Sequence, residues 1–205
     1  ALYFAPVPFL TPDELIYPFA GRAYFHSLVS WDLRGFVINA EHPPLSKLFT
    51  ALFIYLLRPL GFSDIVALRV QSCLFSALTC VVAYQVGSKA GRTMGLLSWA
   101  LLSFDPISIV FSIASLDVTS LFFASLAFKW FLEVDQKSVK PCLLSGVCLG
   151  AATLCKYTAW PIMLGTFALI MFLTRVSRRV FLVSLSAVAA VSLVLVILGN
   201  PLFWP

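Results

Sequence analysis

The stretch Val70–Ser88, VQSCLFSALTCVVAYQVGS, carries no charged residue, and neither does Val180–Gly199, VFLVSLSAVAAVSLVLVILG. A helix that crosses a bilayer needs about 20 mostly apolar residues, and both stretches meet that demand. Tyr157–Thr174 is uncharged as well. Between Thr93 and Lys140 two further spans meet at a break running from Asp105-Pro106 to Asp117, and Pro141–Cys155 is a short candidate that ends at Lys156. Six spans are therefore expected, at 66–88, 94–110, 117–134, 141–156, 157–175 and 180–199. The fold class predicted is all-α, a polytopic transmembrane bundle.

The whole composition agrees. Of 205 residues, 60% are hydrophobic and 11% charged, with a mean hydropathy of +0.97. A globular chain in water is about 45–50% apolar and about 25% charged. This balance excludes a soluble enzyme, a nucleic-acid module and a disordered segment. The five cysteines, Cys73, Cys80, Cys142, Cys148 and Cys155, are odd in number and all lie in apolar stretches. They lack the C-x-x-C spacing of a zinc site and read as small buried hydrophobes. His26 and His42 are too few to suggest a metal centre, and no cofactor is expected.

Charge assigns the sides. Lys89 and Arg92, Lys137 and Lys140, and Arg175, Arg178 and Arg179 occupy every second connector. With Lys129 they give the inner side a net +6, against −1 on the outer side, and together these make the chain's +5. Basic connectors mark the cytoplasmic face, so the N-terminal stretch, the Asp105–Asp117 break and the Asn200–Pro205 tail fall outside. Leu45–Phe62 is apolar enough to be considered a span, but a crossing there would put Lys89 and Arg92 on the acidic side. It is read instead as an amphipathic helix in the outer interface, with Lys47 and Arg58 turned towards the headgroups. The chain thus divides into an external loop with a juxtamembrane helix, 1–65, and a six-span region, 66–205. It starts outside without a span before Ala1, which points to a preceding helix and to a larger membrane protein.

The external loop holds five of the nine acids. Asp13-Glu14 follows Thr11-Pro12, a helix-start signal; Glu41-His42 precedes Pro43-Pro44, a pair that fixes the backbone. Asp105 and Asp117 flank the second outer loop. A solvated cap is the simple explanation of Asp13-Glu14, and a turn that of Asp105. For Asp117, at the head of an apolar helix, a functional role competes with a helix cap. Arg58, Arg69 and Lys156 lie at the same level, as lipid anchors or as cations for the phosphate of a lipid-linked donor. Carboxylates beside cations at an outer face suit group transfer from a lipid phosphate, with an acid as general base and the cations on the departing phosphate.

The ordered set Asp13-Glu14, Glu41-His42-Pro43-Pro44-Leu45-Ser46-Lys47, Arg69, Phe104-Asp105-Pro106, Leu116-Asp117 and Leu154-Cys155-Lys156-Tyr157-Thr158 resembles the protein O-mannosyltransferases and the related aminoarabinose transferases. These are membrane glycosyltransferases of the GT-C type that use polyprenyl-phosphate sugars. The resemblance covers nearly the whole chain and includes the closing Asn-Pro-Leu-Phe-Trp-Pro. It implies an inverting transfer of a hexose to a protein or glycan hydroxyl at the outer face of a plasma membrane. Asp13 is then the base with Glu14 beside it, and Asp117 a second essential acid. Glu41 and His42 shape a substrate pocket, and Arg69 and Lys156 are the phosphate-side cations. Two departures stand out: Phe111-Ser112-Ile113-Ala114 offers no Arg before the Leu-Asp pair, and Ser46 replaces the usual Gly. The expected partners are the lipid-linked sugar, its acceptor and membrane lipid, with no nucleic acid. The competing readings are a transporter or channel domain and a non-catalytic partner of the same fold.

Overall fold

The computed structural model describes residues 12–105, 116–134, 140–173 and 178–201. These residues form helices and turns, with no strand among them. In chain order the α-helices are α1 (Pro12–Ser30), α2 (Pro44–Leu57), α3 (Asp64–Gly87), α4 (Arg92–Phe104), α5 (Leu116–Phe131), α6 (Lys140–Cys155), α7 (Ala159–Leu173) and α8 (Arg178–Gly199). A helix occupies each of the six segments expected to span. Two of them, Asp64–Ala90 and Leu182–Gly199, are long and apolar enough to cross a membrane. Lys140–Cys155 is apolar but shorter.

Local chemistry sets several helix limits. Ser63 caps α3 by accepting the Val66 N–H at 3.3 Å. Pro44 opens α2, where its missing N–H costs nothing. Asp105 ends α4 with an extended backbone, as suits a residue before proline. The second outer loop, 106–115, lies outside the described residues.

The bundle packs α5 on α6, α6 on α8 and α3 on α4 and α5, while α1 and α2 lie against one another and against α3. Its apolar core is built by Ala127 and Phe131 of α5, Cys142 and Leu149 of α6, Phe167 of α7 and Val188 of α8. Phe131 and Phe167 stack with centroids 4.0 Å apart. Gly146 and Gly150 let α6 approach α8 closely: a Cβ at either would stand 2.7 Å from the Cβ of Val191 or Leu195. Small residues four apart serve this way between helices in lipid.

Polarity is distributed inside out. Gln71, Thr119, Ser120, Ser145 and Ser192 are buried, whereas Leu101, Phe104, Phe172, Leu182, Val183 and Leu198 are exposed. The buried hydroxyls join helices: Ser145 donates to the Ala127 carbonyl at 2.9 Å and Ser120 to that of Ala152 at 3.0 Å. An apolar exterior this extensive needs a nonaqueous or protein neighbour.

The same inversion corrects the expected orientation of α2. Its buried face is Ser46, Lys47, Thr50, Ala51 and Ile54, and its exposed face carries Leu52, Tyr55 and Leu56. Lys47 is 0% exposed rather than turned to headgroups. Polar atoms gain hydrogen bonds from the protein on one side, and the apolar side chains are left to the surroundings. Arg58, at the end of the helix, is exposed as expected. Helix α1 follows the same plan, burying Glu14, Tyr17, Ala20, Tyr24 and Ser27 and exposing Leu15, Ile16 and Phe19.

Candidate active site at one end of the bundle

The buried stripe of α1 starts with Glu14, and the head of α3 supplies Arg69 opposite it. Arg69 Nε donates to Glu14 Oε1 at 2.6 Å, with side chains 7% and 0% exposed. A second tie between these helices, Arg22 to Asp64 at 2.9 Å, is partly open to solvent. Asp13 lies on the first turn of α1, one residue before Glu14; its side chain is outside the described ones.

Glu41 and His42 sit on a tight turn just before α2. The His42 N–H donates to the Asn39 carbonyl at 3.2 Å, and Asn39 Nδ2 donates to Glu41 Oε1 at 3.0 Å. Asn39 adopts the left-handed conformation, φ 54°, which Asn tolerates better than most residues. The His42 ring meets Tyr17 of α1 edge to face at 6.0 Å. Tyr17 is one turn from Glu14, so the turn is brought to the helix face that carries the acid.

Asp117, on the first turn of α5, pairs with Lys156 at the end of α6. Both side chains are partly exposed, and both line a cavity of about 590 Å3. Away from the pair its walls are largely apolar, including Leu121, Ala124, Ile162 and Met163. A second cavity of about 330 Å3 shares Leu121, Ala124 and Met163 and reaches Phe128 and Thr166. From Asp117 to Phe128 the two cavities follow α5 for about 16 Å at 1.5 Å per residue.

The sequence-predicted cations therefore occupy three different settings. Arg69 is buried against Glu14, Lys156 faces Asp117, and Arg58 is exposed at the end of α2. Asp105 is partly buried at the end of α4. Four residues have roles that the sequence does not announce. Gln71 of α3 accepts from Thr50 of α2 at 2.8 Å and donates to Thr119 of α5 at 3.2 Å. Lys47 and Tyr24 meet at 3.0 Å. Tyr17 receives His42. An amide inside an apolar span demands partners, so Gln71 is the one with a readable signal.

Contacts between connectors sort them by end. Asn200, after α8, donates to Tyr157 between α6 and α7 at 2.8 Å, at the end that holds Asp117 and Lys156. At the opposite end Lys89 pairs with Glu133 at 2.9 Å. Lys137 and Arg175 lie outside the described residues, as do the side chains of Arg178 and Arg179. No group of three metal-binding side chains occurs among the described residues.

An apolar exterior, two candidate spans and acid–cation pairs towards both ends of the bundle are features of a membrane protein. The dolichyl-phosphate-mannose-protein mannosyltransferase family model matches residues 41–204, and the chain belongs to that family. Family and candidate spans together support a membrane protein. Asp13 and Glu14 precede the matched region, whereas the other predicted site residues fall within it. No curated protein and no solved structure matches the chain.

Proposed function

We propose that this chain transfers a hexose, mannose foremost, from a polyprenyl-phosphate donor to an acceptor hydroxyl on a protein or glycan, with inversion. The family match over residues 41–204 carries this reading. In it, the helices α3 to α8 are six spans of a plasma membrane, and residues 1–65 form an external loop. The site faces outside, in keeping with the basic connectors at the opposite end.

The Asp13 carboxylate takes the proton of the acceptor hydroxyl as its oxygen bonds to the anomeric carbon. The bond from that carbon to the phosphate oxygen breaks, and polyprenyl phosphate departs with the electron pair. Glu14, engaged by Arg69 at 2.6 Å, anchors the helix turn that presents Asp13. Lys156 lines the cavity, where its charge offsets that of the departing phosphate, with Asp117 holding it in place. The apolar cavities below receive the first units of the lipid chain. Glu41 and His42 border the sugar and acceptor, with Arg58 and Asp105 further out.

Removing the base tests the assignment. In membranes supplied with radiolabelled mannosyl-phosphoryl-polyprenol, Asp13→Asn is expected to lower transfer by about 100-fold or more. Transfer at the wild-type rate in a folded Asp13→Asn protein overturns Asp13 as the base.

A further inference from the structure

Lys47 is a fully buried cation whose hydrogen bonds, among the described residues, go to a phenol and two main-chain carbonyls rather than to a carboxylate. Its Nζ donates to Tyr24 Oη at 3.0 Å, to the His42 carbonyl at 2.8 Å and to the Asn39 carbonyl. It also lies 4.6 Å from the Tyr24 ring centroid. An ammonium has three N–H donors, and here each has its own acceptor. Two of those acceptors are the main-chain carbonyls of the turn that carries Glu41 and His42. The third is fixed to α1.

The local sequence explains why a side chain supplies these donors. Pro43, just before α2, and Pro44, its first residue, bring no N–H, so the backbone after the turn offers fewer donors to it. Lys47, on the first turn of α2, reaches back and supplies them. Gly21 permits the arrangement: a Cβ there would stand 2.6 Å from the Lys47 carbonyl oxygen, so α1 could not lie this close to α2 with a larger residue. Without Lys47 the His42 carbonyl loses that donor while the Asn39 carbonyl keeps the His42 N–H, and a partly buried carbonyl left without a donor is costly.

We infer that Lys47 is a positioning residue for the transfer reaction, tying the Asn39–His42 turn to α1 so that Glu41 and His42 meet the substrate in one fixed arrangement. The inference rests on the transferase reading for its consequence, but its geometric part stands apart from it. Lys47 touches neither the acid pair at Asp117 nor Glu14 in the described contacts, so its loss acts through the turn.

Lys47→Met keeps the stem and removes the donors; Tyr24→Phe keeps the ring and removes one acceptor. Both are compared with wild type in nanodiscs by amide hydrogen exchange over residues 38–42 and by transfer from mannosyl-phosphoryl-polyprenol. Exchange in the turn is expected to rise about tenfold or more in Lys47→Met, and less in Tyr24→Phe, with α3 unchanged. The kcat is expected to fall up to about 100-fold for a turn displaced by an ångström, with the donor KM near wild type. Unchanged exchange in the turn overturns the tie. Loosened exchange with unchanged kcat overturns the positioning role. If Lys47→Met does not fold, Tyr24→Phe decides both questions by the same two readouts. A wild-type protein that transfers no sugar refutes the transferase reading, while the exchange comparison still decides the tie.

Discussion

At the scale of single residues, the buried ion pair makes a direct prediction. Glu14 and Arg69 are withdrawn from solvent together, and removing one partner of such a pair costs about 3–5 kcal/mol because the other charge is left uncompensated. Arg69→Met is therefore expected to lower the thermal midpoint in detergent strongly, and Glu14→Leu/Arg69→Met to recover much of the loss. A single replacement without effect contradicts the pairing. Lys47 gives a pH signature. Burial lowers its pKa from 10.5 to about 8, against the opposing charge of Glu41. Tyr24 is pushed by burial up to about 12, so it keeps its proton, and His42 presents its carbonyl. Between about 8 and 10.5 the unfolded chain holds a proton on Lys47 that the folded chain has released, so stability rises with pH in that window. Wild type should gain on Lys47→Met from pH 8 to 10.5 in thermal unfolding. A difference that stays flat with pH rejects this role of burial.

At the scale of elements, helix α2 shows what sequence reveals and what it leaves open. Its existence and its start at Pro44 follow from the proline pair and the apolar run. The face it buries does not. An amphipathic helix between water, lipid and protein has two candidate orientations, and periodicity alone does not choose between them. The structure buries the polar stripe Ser46-Lys47-Thr50 and exposes Leu52, Tyr55 and Leu56. Helix limits in the bundle are legible because uncharged runs end at charges and prolines. The pairs are not: Glu14 and Arg69 are separated by 55 positions, and Asp117 and Lys156 by 39. Only the chain path joins them. The close approach of α1 to α2 makes its own prediction. Gly21→Ala should cost about 1–3 kcal/mol, as overpacking does, seen as a lower thermal midpoint. A neutral outcome would mean that the helices separate without penalty.

At the scale of the whole molecule, the ends of the bundle carry different chemistry. One end gathers Glu14–Arg69, Asp117–Lys156 and the Glu41–His42 turn, and the other holds Lys89–Glu133. The proposed outward orientation can be checked with Leu60→Cys and Ala90→Cys on a background without native cysteines. Both positions are exposed. In intact cells an impermeant thiol reagent should label the cysteine at 60 and spare that at 90; the reverse pattern inverts the topology. The central claim is the chemistry itself. Purified protein in nanodiscs, given mannosyl-phosphoryl-polyprenol and a Ser/Thr-containing acceptor peptide, should yield a glycosylated hydroxyl whose anomeric configuration, read by NMR, is opposite to that of the donor. No transfer under these conditions, or a product that retains the donor's configuration, contradicts a direct displacement at the anomeric carbon.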